Sequence, residues 1–188
     1  MKLSDMEINN LVNEFSRIFL ERSRNTRHGT ILDCAIDNAL CKLYSYSSAC
    51  QKEIEMLAKA GNCDVLVCRA ALEASNNFYI LGLLYNRAND PEGMEIWMKI
   101  LKGELIDCFF PGIDAVVQFL SKSPIDKKLG PHTDWILRQN SKYGAKIFSS
   151  DIEEGLTETI LSYLEPYGNN ARCAYLEHLV TSQKCSRV

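Results

Sequence analysis

No apolar run in this 188-residue chain approaches the roughly 20 residues needed to cross a bilayer. Its first residues, with the acidic Asp5 and Glu7, do not have the make-up of a secretory signal. A basic excess is also missing: 21 Lys and Arg stand against 24 Asp and Glu, for a net charge of -3. A phosphate-binding surface usually shows as a cationic surplus or stripe, so nucleic acid is not the expected partner. The one small basic group, Arg22, Arg24, Arg27 and His28, reads as the solvated end of a helix, where cations favour the dipole. Histidine is scarce, and none of the three carries the flanking signature of a nucleophile or its base. No glycine loop is built to cradle phosphate, since Gly103, Gly112, Gly130 and Gly144 stand alone as helix stops. Alternating strand patterns hardly occur. These absences argue against an enzyme, and no catalytic, cofactor or metal residue is assigned.

Cysteine, by contrast, is plentiful, with eight residues. Without a secretory signal they read as reduced and mostly buried thiols of a cytoplasmic protein. A structural zinc site needs two close ligand pairs. Cys63 with Cys68 and Cys34 with Cys41 are the candidate pairs; neither has a convincing second pair, and Cys173 with His178 stands alone. Core packing by small soft side chains is the favoured reading. The acidic run Asp151, Glu153, Glu154 and Glu158 precedes a helix start, where carboxylates suit the positive end of the dipole better than they indicate an ion site.

Hydrophobic residues at 46% and charged residues at 24% are the proportions of a folded chain. The apolar positions recur mainly at spacings of three and four. A first helix from about Asp5 to Glu21 carries Ile8, Leu11, Val12, Phe15, Ile18 and Phe19 as one stripe. A second opens at Thr30 with Ile31, Ala35, Ile36, Ala39, Leu40 and Leu43 on its apolar side, and a third spans about Ala49–Lys59. A fourth is capped by Asp64 and runs through Ala74. After Gly103 a loop leads to a helix near Pro111, broken at Pro124, and then to one between about Leu129 and Gln139. Residues 145–149 read as a short extended piece. Thr157 reads as the cap of the next helix, and Asn170 begins the last. This makes about ten helices of ordinary globular length.

The most structured stretch is Phe78–Leu101, FYILGLLYNRANDPEGMEIWMKIL. Phe78, Leu81, Gly82 and Tyr85 have the spacing that opens a tetratricopeptide repeat. Gly82 in mid-helix costs roughly 1 kcal/mol against Ala, which predicts that a second helix packs close to its backbone. Asp90 followed by Pro91 restarts the chain as a cap and first helical residue. Met94, Trp97, Met98 and Leu101 then form a buried stripe, with Trp97 and Trp135 expected as core anchors. Such a hairpin cannot bury both apolar faces alone. The expected fold is therefore all-α, an α-solenoid of stacked helical hairpins with irregular period, a compact all-α domain being the alternative.

Together these segments resemble the family of TGF-beta receptor-associated protein and its vacuolar-sorting relatives, subunits of the CORVET and HOPS tethering complexes. The segments that carry it are IDNALCKLY, FYILGLLY, IWMKILKGELID with Trp97, VVQFL, TDWILRQNSKYGAKIF with Trp135 and Phe148, and YLEHLV. The likeness runs from about Ile31 to Val180 and departs in the first thirty residues. The resemblance implies a solenoid section of clathrin-heavy-chain-repeat type, drawn from a longer subunit that works on early endosomes with Rab GTPases and other tether subunits. No binding residue comes with it. The expected organisation is 1–29 as an uncovered helix and loop, 30–180 as the solenoid section and 181–188 as a frayed tail. A solenoid section would expose apolar faces at its ends, the first-helix stripe or Tyr175, Leu176 and Leu179, and dimerise through them. A receptor-tail adaptor is the alternative function.

Overall fold

The computed structural model describes residues 5–24, 30–149 and 155–185, and among these there is no β-strand. Twelve α-helices follow in order: α1 (Asp5–Arg24), α2 (Thr30–Ser45), α3 (Gln51–Ala60), α4 (Val65–Ala74), α5 (Phe78–Arg87), α6 (Glu92–Leu101), α7 (Ile113–Ser121), α8 (Ile125–Lys128), α9 (Pro131–Gln139), α10 (Ser141–Gly144), α11 (Leu156–Leu164) and α12 (Asn169–Cys185). The chain divides into two compact units, residues 1–110 and 111–188. Of the residues named from sequence, Arg27, His28, Asp151, Glu153 and Glu154 lie outside the described residues, as do the side chains of Asp5, Glu7, Ile8 and Thr30.

In the first unit successive helices pair, α1 with α2, α2 with α3, α4 with α5 and α5 with α6. Helices two apart also pack, α2 with α4 and α3 with α5, which is the stacking of a solenoid. Short turns make this possible, and the ends of three helices use one device. α4 ends with Asn76 at φ 56° and the Asn77 amide donating to Leu72 O at 2.9 Å. α5 ends with Asn89 at φ 58° and the Asp90 amide donating to Tyr85 O at 2.9 Å, and α6 ends with Gly103 at φ 76° and Glu104 donating to Lys99 O at 2.9 Å. In each, a residue that tolerates the left-handed region reverses the chain while satisfying an orphan carbonyl. The starts are equally local: Asp64 Oδ1 accepts from Leu66 N at 2.8 Å, and Asp90 Oδ1 from Glu92 N at 2.9 Å.

The core of this unit is built from Ile36, Leu40 and Tyr44 of α2, Ile54 and Leu57 of α3, Leu72 of α4, Ile80, Leu81 and Leu84 of α5, and Met94, Trp97 and Met98 of α6. One sequence expectation fails here. Ile31 stands 89% exposed and Ala35 is also exposed, because the inward face of α2 follows Ile36, Leu40, Cys41 and Tyr44 rather than the face drawn from Ile31. The stripe of α1 lies outside the core, as expected of a solenoid end.

The second unit is centred on Phe148. Residues 145–149, expected as an extended piece, instead form a 3-10 turn, Ala145–Phe148, that continues directly from α10. The reason is local: the chain is already helical at Gly144 and has no strand to pair with, so burying Ala145, Ile147 and Phe148 is achieved by tightening the helix. The ring of Phe148 meets Tyr163 of α11 edge-on at 5.8 Å and Tyr175 of α12 at 6.4 Å. Val116, Val117 and Leu120 of α7, Ile136 and Leu137 of α9, Ile160 and Leu164 of α11, and Ala171 and Ala174 of α12 complete the core. Trp135, expected as an anchor, is only half-buried. Thr157 does not cap α11, which starts one residue earlier behind Gly155 at φ 100°. Helix α12 is regular through Cys185.

Candidate functional site

The step formed by α5 and α6 has two glycines at its crossing. A Cβ on Gly82 would stand 2.2 Å from Trp97 Nε1 and 2.5 Å from Cδ1, so the indole occupies the space a side chain would take. A Cβ on Gly93 would stand 2.6 Å from Gly82 O and 2.7 Å from the Asn86 amide nitrogen, so here backbone meets backbone. The close approach expected at Gly82 is thus present, with Trp97 as its agent. Trp97 cannot swing away, being 2% exposed and donating from Nε1 to Tyr79 O at 3.1 Å. Leu81 and Tyr85 are buried, whereas Phe78 and Leu101 are half-buried at the margins of the step.

Tyr79, not singled out from sequence, joins this step to its surroundings. Its ring lies 5.7 Å from Trp97 and 5.8 Å from Phe110, and its hydroxyl donates to Glu55 Oε1 of α3 at 2.8 Å. Its amide, one of the orphan donors at the start of α5, donates to Asp107 Oδ2 at 2.7 Å. Asp107 also accepts from Phe109 N at 2.9 Å, so a residue 28 positions downstream caps α5 in place of Asn77. Asn77 is instead buried among three neighbours, donating to Ser45 O and Ser75 Oγ at 2.7 Å and accepting from Gln51 Nε2 at 2.9 Å. Burial, then the bond to Glu55, raises the Tyr79 hydroxyl above the ordinary phenol range. Burial works against ionised Glu55, but hydrogen bonds from Lys59 and Tyr79 outweigh it and lower that carboxyl.

At the other end of the unit α1 lies on α2 by its polar side. Tyr44 donates to Glu21 Oε1 at 2.7 Å, and Arg24 Nε lies 2.7 Å from Asp37 Oδ1, close enough for an ion pair though not aligned as a hydrogen bond. Arg24 is therefore engaged with a buried carboxylate rather than simply solvated. The apolar stripe points the other way: Phe15 is 78% and Phe19 69% exposed, and Leu11, Val12 and Ile18 are exposed with them. This is the exposed end face expected from sequence. Its counterpart on α12 is smaller than expected, because Tyr175 is fully buried against Phe148 while Leu176 and Val180 remain exposed.

The cysteines converge in a way their spacing did not indicate. Cys41 of α2, Cys63 of the α3–α4 turn and Cys68 of α4 are all buried, with their three Sγ atoms within 4.8 Å of one another. Cys34, its expected partner, lies apart, accepting from Asn38 Nδ2 at 3.5 Å. Hydrogen bonds with Cys41 and Cys63 push the Cys68 thiol down, and hydrogen bonds with Cys63 and Cys68, then burial, push Cys41 up. The turn is fixed from three sides. Asn62 N donates to Asp37 Oδ2 at 2.8 Å and Asp64 N to Asn38 Oδ1 at 2.7 Å. Arg87 of α5 donates to the carbonyls of Ala58, Gly61 and Cys63. The signal available in sequence was Asp37, Asn38 and Cys41 at helical spacing on one face, and only the packing of α2 against residues 62–68 gives that face its partner.

No protein-family profile matches the chain, and no solved structure does. Two curated proteins are similar. Transforming growth factor-beta receptor-associated protein 1 homolog of Danio rerio is 32% identical over 160 residues, 81% of this chain and 18% of that protein. Transforming growth factor-beta receptor-associated protein 1 of Bos taurus is 27% identical over 180 residues, 92% of this chain and 21% of that protein. The chain thus spans about a fifth of the length of these relatives, and neither bears the name of an enzyme. Among the described residues no helix is long and apolar enough to cross a membrane. This all-α chain, which aligns over most of its length with these proteins, belongs to the family of transforming growth factor-beta receptor-associated proteins.

Proposed function

We propose that this chain is a non-enzymatic protein-interaction scaffold, residues 30–180 forming a solenoid section of an endosomal vesicle-tethering subunit that acts in endosome fusion and vacuolar or lysosomal protein transport. Its partners are other subunits of a CORVET- or HOPS-type complex, with Rab GTPases engaged through the parent protein, and its place is the cytoplasmic face of early endosomes. The observation that carries this reading is the outward apolar stripe of α1. A helix held to its neighbour by Arg24 and Tyr44–Glu21 contacts, while Phe15 and Phe19 stay uncovered, presents the sort of patch that marks a contact surface.

The test is co-precipitation of the other tether subunits from endosomal extracts by the chain and by a Phe15→Ser/Phe19→Ser variant. Capture by the parent chain and its loss in the variant is the expected outcome; equal capture by both removes α1 from the interface. The name of the two relatives favours one further reading, an adaptor that binds a TGF-beta-type receptor tail. Capture of the receptor tail without any tether subunit would replace the first reading with this one. Light scattering over a concentration series checks whether the α1 face also pairs two copies of the chain.

A further inference from the structure

The thiol cluster is the feature that the scaffold reading leaves unexplained. We propose that Cys41, Cys63 and Cys68 bind one thiophilic d10 cation, Zn2+ or Cu+, as a structural staple between α2, the α3–α4 turn and α4.

Three soft donors from three separate elements meet at one point, as in metal staples and unlike the dispersed placement of cysteines that merely fill a core. Zinc–thiolate bonds of about 2.3 Å in tetrahedral geometry set sulfurs about 3.8 Å apart. The three Sγ atoms already lie within 4.8 Å of one another, so binding asks for a contraction of about 1 Å at most. Thiolates select these two ions over the harder divalent metals. Asn38 Oδ1, 3.3 Å from Cys68 Sγ, is the oxygen placed to complete a four-coordinate zinc site, and Cu+ would be held by the sulfurs alone.

The surroundings have the parts of an outer shell. Asn38 Oδ1 also accepts from Asp64 N, fixing the amide that faces Cys68. The guanidinium of Arg87 holds the Gly61 and Cys63 carbonyls and brings positive charge to a site where three thiolates exceed the charge of either ion. Binding releases the thiol protons, leaves every oxidation state unchanged and needs no further reactant.

The reduced 188-residue chain is titrated anaerobically with Co2+ as a zinc reporter and, in a second arm, with Cu+ in competition with a chromophoric chelator. One equivalent bound with thiolate-to-metal charge-transfer absorption is expected in at least one arm, and Zn2+ should displace Co2+. Cys68→Ser and Cys41→Ser should each weaken binding by roughly tenfold or more, while Cys108→Ser, at an exposed position, should leave it unchanged. Circular dichroism of each variant without metal separates lost ligation from lost folding. Absence of charge-transfer absorption in both arms of the parent titration overturns the proposal, as does full retention of binding in a folded Cys68→Ser chain.

Discussion

The hairpin of α1 and α2 and the hairpin of α5 and α6 are both written as amphipathic helices, yet they spend their apolar faces in opposite ways. In α5–α6 two glycines let the backbones touch, an indole seals the crossing, and Met94, Trp97 and Met98 disappear from solvent. In α1–α2 polar and charged side chains make several of the contacts, and the large apolar residues of α1 face outward. The lesson is that periodicity identifies an apolar face but not what covers it. In one hairpin the face is a core; in the other it is a surface available to a partner.

This contrast can be broken or sharpened by substitution. The largest effect is expected for Gly82→Leu, where a side chain is driven into Trp97: a loss of about 3 kcal/mol by overpacking, read from urea denaturation. An unchanged midpoint would mean that the crossing is loose and the two hairpins are alike. Asp107→Ala removes the cap of α5 and should lower stability by about 1 kcal/mol, with faster hydrogen exchange at the Tyr79 amide. A pH series gives the next contrast. The folded state holds the Tyr79 proton more tightly than the unfolded chain does, so stability is intact at lower pH and declines as pH rises past about 10. Tyr79→Phe should flatten that alkaline decline; a decline of unchanged slope would assign it to other groups. The smallest effect belongs to α1, where Phe15→Ser should alter stability by no more than about 0.5 kcal/mol because no core contact is lost. A large loss there would show that the stripe is covered after all.

How much of this was legible beforehand depended on how local each cause is. Helix starts at Asp64 and Asp90 and the stop at Gly103 follow from residues within a turn or two, the tight packing at Gly82 is signalled by a glycine in mid-helix, and all are found where the spacing places them. Asp107 as a cap for α5 and Tyr79 as a junction depend on contacts between distant positions, which a pattern of three and four cannot encode. Gly93 had a visible signal, a second glycine inside a helix pattern across a short turn from Gly82. The thiol cluster had only half of one. Paired spacing suggested Cys63 with Cys68 and Cys34 with Cys41, but the third sulfur is chosen by how α2 rolls, and that roll buries Cys41 and leaves Cys34 at the edge. Residues 145–149 depart from the extended form expected because a short apolar run has no period, and the preceding helical turn decides its form.

The bond between Tyr79 N and Asp107 Oδ2 also changes how the α5–α6 step assembles. It ties the loop that follows α6 back to the beginning of α5, so the step is a closed ring of chain rather than an open hairpin. The entropy of closing such a ring grows only with the logarithm of its length, and it is met once, within this segment. Neighbouring hairpins therefore need to supply burial but no part of the closure, and a step can keep its shape while the spacing of the steps beside it varies.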